Sequence, residues 1–413
     1  MLDLPWIRDQ FPALSQLHDD GRPIVFFDGP AGTHVPTAVI EAVSGYYRTI
    51  NANTHGAFAS SRKTDEMLAE AHQAAADLLG CDADEVAFGQ NMTTLTFALS
   101  RAIGEALGPG DEVLLTCLDH DANFTPWLRM ARDRGATVQV VDIVEGDCSL
   151  DLEDLGRKLG PRTRVVAVGM ASNATGTRTD VAAIARRAHA VGALVFVDAV
   201  HAAPHGPLDV RALDCDFLAC SSYKFFAPHL GLLYGRRELL ARLPAYKVRP
   251  AGDVGPDRWE TGTLNHEGIA GLLAAIGYLA ELGRRVDPAA SSRRAALLAA
   301  MTAIQAYERE LSARVLTVLG EIPGLTLYGI SDSDRLAERT PTLSVRLAGH
   351  APVEVARHLA ARGICCWDGN FYAQNLSERL GVESSGGFVR IGLVHYNTVE
   401  EIDRLGQALA ELR

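Results

Sequence analysis

The chain has 413 residues, 47% hydrophobic and 22% charged, the balance of a folded globular protein and not of a disordered one. That length allows about two or three domains with a cleft between them. Lys and Arg number 39 against 51 Asp and Glu, a net charge of −12, which argues against holding nucleic acid by general phosphate neutralisation.

The N-terminus, Met1-Leu2-Asp3-Leu4-Pro5-Trp6, has acid and proline where an export signal has a basic end and an apolar core, so a cytoplasmic protein is expected. Seven cysteines without C-x-x-C pairing fit reduced thiols in that compartment. Strands are predicted at 85–88, 112–117, 137–142, 164–170, 194–198, 216–220 and 231–234, with helices between them such as 65–79 and 181–191. Repeated β-α units make a mostly parallel sheet flanked by helices. The run 268–280, closed by Glu267 and Glu281, is shorter than the ~20 residues of a membrane span and reads as a buried helix. A long helix at 292–319, strands at 342–347, 364–367 and 388–392, and a last helix at 399–412 form a smaller α+β unit. The expected division is an N-terminal arm, 1–20, packing with the small domain, a large cofactor domain, 21–285, and a small C-terminal domain, 286–413.

In open parallel sheets, ligands sit beyond the carboxyl ends of the strands, and four positions there carry unusual chemistry. Asp198 ends the apolar strand 194–198. Lys224 follows Ser221-Ser222-Tyr223 and precedes Phe225-Phe226-Ala227-Pro228, an apolar setting that lowers an amine's pKa and suits a Schiff-base nucleophile. Asn91-Met92-Thr93-Thr94 opens a helix and offers an anion site. The fourth is Asp119-His120-Asp121-Ala122-Asn123. A Schiff-base lysine, an acid for a ring nitrogen, a phosphate cradle and a stacking imidazole together fit pyridoxal 5′-phosphate. His201 and His205 have helical spacing, but Pro204 between them and the lack of a following Glu argue against a zinc site, and no metal is expected.

The ordered motifs Phe27-Asp28-Gly29-Pro30-Ala31-Gly32, Asp119-His120, Ser172-Asn173-Ala174-Thr175-Gly176, Val197-Asp198-Ala199-Val200-His201, Ser221-Ser222-Tyr223-Lys224 and Val389-Arg390-Ile391-Gly392 resemble the class V aminotransferases, in particular the cysteine desulfurase branch. The resemblance implies the fold type I architecture of pyridoxal-phosphate-dependent transferases. It also implies that Lys224 carries the cofactor and moves the Cα proton, that Asp198 pairs with the ring nitrogen, and that His120 stacks on the ring and donates a proton. Asn173 and His201 would face the ring oxygen, His201 standing where the family more often has Gln. Met92, Thr93, Ser221 and Tyr223 would hold the phosphate, Tyr223 standing where desulfurases usually have His. Thr263 resembles the residue that reaches the phosphate of a neighbouring subunit, so a homodimer with shared sites is implied. Arg390 matches the clamp for a substrate α-carboxylate, Asn53 and His55 belong to a loop read as lying on the substrate side, from either subunit, and side-chain selectivity is expected to depend on how these two, Asn370, Phe371 and the substrate-binding Tyr372 come together.

One departure bears on the reaction. On the loop Trp367-Asp368-Gly369-Asn370-Phe371-Tyr372-Ala373, desulfurases place a persulfide-forming cysteine, and alignment on the glycine puts Tyr372 there. Cys366 lies upstream on the predicted strand. The chain is therefore similar to a desulfurase-like subgroup without that nucleophile. The expected activity is β-elimination, C–S lysis or desulfurase-like chemistry on a small amino acid, such as a cysteine derivative, with no protein persulfide. Aminotransfer, racemisation or epimerisation, and a cofactor-binding pseudo-enzyme are the alternatives.

Overall fold

A computed structural model describes residues 2–412. Its main sheet contains β1 (Val86–Gly89), β2 (Glu112–Thr116), β3 (Thr137–Val141), β4 (Thr163–Gly169), β5 (Leu194–Asp198), β6 (Phe217–Ser221) and β7 (Gly231–Gly235) in the spatial order β1-β7-β6-β5-β4-β2-β3. Only β7 runs against its neighbours. Both faces are covered, which is why the strands read as continuous apolar runs. On β5, Val195 and Val197 enter one core while Phe196 enters the other, the alternation a pleated strand imposes.

One face is covered by Ala59–Leu79 and His266–Val286, both 21 residues long. The second helix contains the 268–280 run, buried as its apolar sequence requires. Met92–Gly104 and Thr125–Arg134 cover the other face. Among the described residues, no helix is long and apolar enough to cross a membrane.

The smaller unit is an antiparallel sheet of β8 (Leu325–Tyr328), β9 (Thr342–Leu347), β10 (Trp367–Gly369) and β11 (Phe388–Gly392) in the order β8-β9-β11-β10. The predicted strand at 364–367 divides in two. Ile364–Cys365 pairs in parallel with Val25–Phe26, whereas Trp367 begins the strand paired with β11. Cys366 sits at the changeover.

Two segments are shared between the large and small bodies. Ile7 and Phe11 join the core of the large body, while Arg8 donates to Tyr396 O at 2.7 Å and pairs with Glu401 at 2.9 Å; Val25 and Phe27 enter the small-sheet core. The helix Arg293–Gly320 has Ala296, Ala300 and Ile304 in the first core and Leu311, Val315 and Leu319 in the second. These crossings set β11 against the carboxyl ends of the large sheet, where the site forms.

Candidate active site

The site is assembled from strand ends. At the end of β5, Asp198 is 8% exposed, and its Oδ1 accepts the Val200 N–H at 2.8 Å. Desolvation lifts its carboxyl to about 6, against the opposing pull of that bond and of Lys224. Strand β6 runs directly into the one-turn segment Ser222–Lys224, followed by the fully buried Phe225 and Phe226. The Lys224 amine donates to Pro30 O and lies 4.7 Å from the centre of the Tyr223 ring. Burial, followed by the charge of Arg390, lowers its pKa from 10.5 to about 7, while Asp198 pulls the other way.

Beyond β1, Asn91 caps the helix Met92–Gly104, its Oδ1 accepting the Thr94 N–H at 2.9 Å. The Met92 N–H donates to Ser221 Oγ at 3.0 Å, joining the helix start to the end of β6. Gly231 permits this closeness, because a Cβ there would stand 2.5 Å from the Asn91 carbonyl carbon. The first turn therefore presents backbone dipoles and the Thr93 hydroxyl to the space between the strands.

His120 Nδ1 accepts the Ala122 N–H at 3.0 Å, so the neutral ring carries its proton on Nε2. Burial first, then Lys224 and Arg390, lowers its pKa to about 4. At neutral pH it is thus a hydrogen-bond donor with no surplus proton to release, which weighs against the expectation that it donates a proton and leaves it the hydrogen bond from Nε2. One face of its ring stacks on Tyr372 at 5.4 Å and 28°.

Asn173 Nδ2 donates to Phe371 O at 2.8 Å, whereas its Oδ1 is buried without a partner. Arg390 on β11 is 5% exposed, donates from Nη1 to Asn173 O at 3.1 Å, and has its Cζ 4.1 Å from the centre of the Phe371 ring. Burial pushes the guanidinium down to about 9 despite Asp28 and Tyr223. His201 meets Thr340 Oγ1 at 3.2 Å and is held neutral by burial first, then by His205 and nearby cations.

All these predicted residues, with Thr93 and Tyr223, line one cavity of about 730 Å³. Asn53, His55 and Thr263 do not: each is exposed outside it. Asp119 also lines the cavity, although sequence reasoning gave it no role. Its Oδ1 accepts the Gly169 N–H at 2.6 Å, and burial and then Asp198 raise its pKa far above the usual range. The signal was an acid at a strand end beside His120. Phe371 was expected only among the residues that set side-chain selectivity; nothing in its sequence announces its place on Arg390. Among the described residues, no cysteine lines the cavity, and burial raises the Cys366 thiol far from its reactive range.

The donor set fits pyridoxal 5′-phosphate. It offers an amine poised near neutrality, a buried acid, a helix start for the phosphate, and an unpartnered Asn173 Oδ1 that a ligand hydroxyl would satisfy.

The family model for aminotransferase class V matches residues 25–405. A cysteine desulfurase of Synechococcus elongatus is 33% identical over 426 residues, an alignment spanning all of this chain and 64% of that protein. One from Pectobacterium atrosepticum is 33% identical over 422 residues, covering 98% of this chain and 97% of its own length. The solved apo structure of a cysteine desulfurase from Thermococcus onnurineus superposes with a TM-score of 0.88 at 26% identity, covering 100% of this chain and 98% of that one.

Proposed function

The chain belongs to the class V aminotransferase family, and on that premise we propose that it is a pyridoxal-phosphate enzyme that eliminates a sulfur-linked group from Cβ of a small amino acid. No persulfide forms on the protein. The observation that carries this reading is the joint placement of Lys224, Asp198, His120 and Arg390 around one cavity, with Tyr372 on the covering loop and no thiol among the lining residues.

Pyridoxal phosphate held by Lys224, Asp198 and the Met92–Thr93 helix start would supply an electron sink for Cα of the amino acid. Arg390 holds the α-carboxylate, which supplies the charge partner its buried guanidinium lacks. With a pKa near 7, the Lys224 amine is neutral often enough to take the Cα proton and acidic enough, once charged, to return one to the leaving sulfur. Asp198 would pair with the cofactor's ring nitrogen and support positive charge there. His120 would stack on the cofactor ring and offer its Nε2–H as a hydrogen-bond donor. For cysteine, addition of water then balances the reaction as pyruvate, ammonia and hydrogen sulfide.

The same reading takes a second copy of this chain as completing the site. Its support is that Thr263 and the 53–55 loop are exposed and outside the cavity of their own chain.

The test incubates cofactor-loaded protein with L-cysteine and S-alkyl cysteines and follows keto acid, ammonia and sulfur products by mass. Pyruvate and ammonia in equal amounts are expected. Alanine with sulfur retained on the protein would overturn the reading in favour of desulfuration. Keto-acid exchange without elimination would favour aminotransfer.

A further inference from the structure

Phe371, Asn173 and Arg390 close a ring of contacts. Asn173 Nδ2 donates to Phe371 O at 2.8 Å, Arg390 Nη1 donates to Asn173 O at 3.1 Å, and the guanidinium returns to the Phe371 ring at 4.1 Å. The Phe371 ring also stacks on Phe388 at 6.5 Å and 27°. Phe388 and Arg390 are alternate residues of β11 and point to the same face. The aromatic ring is therefore laid along that face.

Its backbone is also committed. Phe371 and Tyr372 are consecutive non-glycine residues with φ of 57° and 60°, a conformation that is uncommon and costly without tertiary support. Support comes from Asn173 beneath Phe371 and from the Asp121 N–H, which donates to Tyr372 O at 2.7 Å.

We propose that Phe371 is a positioning residue for substrate: it covers one face of the Arg390 guanidinium and fixes its plane, so that the remaining N–H edge meets a planar α-carboxylate in a single orientation. This rests on the amino-acid reading of the site above. Freed of Phe371, the guanidinium would keep only the Asn173 O bond and rotate about it. The bound carboxylate would then lose its paired contact as well as the desolvation that strengthens it.

The experiment uses cofactor-loaded wild-type protein, Phe371→Leu and Phe371→Tyr. L-alanine is the probe, because it has a carboxylate and an amine but no leaving group on Cβ. Its affinity is read from the shift of the bound cofactor's absorption band. Leucine keeps the backbone demand and an apolar side chain while removing the π face. Phe371→Leu should weaken L-alanine about tenfold, Phe371→Tyr should stay within about twofold of wild type, and the band without amino acid should be the same in all three.

Equal affinity in wild type and Phe371→Leu would overturn the proposal, as would failure of Phe371→Tyr to restore binding. An altered band before amino acid is added would also overturn it, because Phe371 would then act on the cofactor or the fold. If L-alanine moves no band in wild type, the amino-acid reading fails and takes this inference with it. A normal wild-type response with an indifferent Phe371→Leu defeats the inference alone.

Discussion

Replacing Lys224 by Met in the cofactor-free protein should stabilise it at neutral pH and do so less as pH rises. In the unfolded chain the amine keeps its proton up to 10.5, whereas in the fold it releases it near 7. Between those values the unfolded state carries the extra proton, so wild-type stability climbs with pH. At ~1.36 kcal/mol per unit, confining the amine costs about 4 kcal/mol at pH 7 and about 2 kcal/mol at pH 9. Methionine removes that penalty at both pH values but also forfeits the bond to Pro30 O, worth about 1 kcal/mol. The Met variant should therefore exceed wild type by about 3 kcal/mol at pH 7 and by about 1 kcal/mol at pH 9. Urea unfolding of both proteins at the two pH values measures this. The change in the gap is the sharper quantity, because packing differences between Met and Lys cancel from it. A gap constant between pH 7 and pH 9 would refute the claim that burial and Arg390 depress the amine.

Asp198→Asn should still take up cofactor but slow turnover by about 10- to 1000-fold, because an amide cannot hold positive charge at the ring nitrogen; single-turnover kinetics read this directly. Gly231→Ala should weaken cofactor binding by at least about tenfold, because its Cβ would stand 2.5 Å from the Asn91 carbonyl carbon and 2.7 Å from Leu95 Cδ1, pushing the helix start outward. Dialysis followed by the cofactor band checks it. Arg339→Met should cost about 2–4 kcal/mol in urea unfolding. Arg339 is 4% exposed and serves the carbonyls of Ile330, Thr340 and Thr342, the last at 2.7 Å; methionine would leave them without donors.

The strands of the large sheet were legible because their environment is uniform. With helices on both faces, every residue from Leu194 to Val197 can be apolar, and the first polar residue, Asp198, marks the strand end where ligands bind. Lys224 was legible for a related reason: an amine between a buried strand and Phe225-Phe226 has little access to water. The small domain was harder to delimit. The chain changes partner at Cys366, between one sheet that includes Val25–Phe26 and another that includes β11, and a local apolar run contains no information about which strand lies beside it. The left-handed backbone at Phe371 and Tyr372 was hidden too, because sequence favours that conformation at Gly and Asn, and here tertiary bonds impose it. Asn53, His55 and Thr263 lie outside their own cavity, so no pattern within one chain could place them.

The charge arithmetic that excludes general nucleic-acid binding also hides the character of the cavity. A chain of net charge −12 encloses a site in which Lys224 and Arg390 are both driven toward neutrality, to about 7 and about 9, and neither touches a carboxylate. The two acids nearest them compensate only in part, since Asp198 is raised to about 6 and burial and then Asp198 push Asp119 up as well. Desolvation is the first cause of each shift, and the opposite charges that face these groups, Asp198 toward Lys224 and Asp28 toward Arg390, only partly offset it. A ligand with one anionic group near the helix start, a second near Arg390, and a basic ring nitrogen near Asp198 would oppose the shifts of Lys224, Arg390 and Asp198 together. The fold therefore keeps the site under electrostatic strain that such a ligand relieves. On that account, cofactor and amino acid should stabilise the protein more than either their contact area or its net charge would suggest.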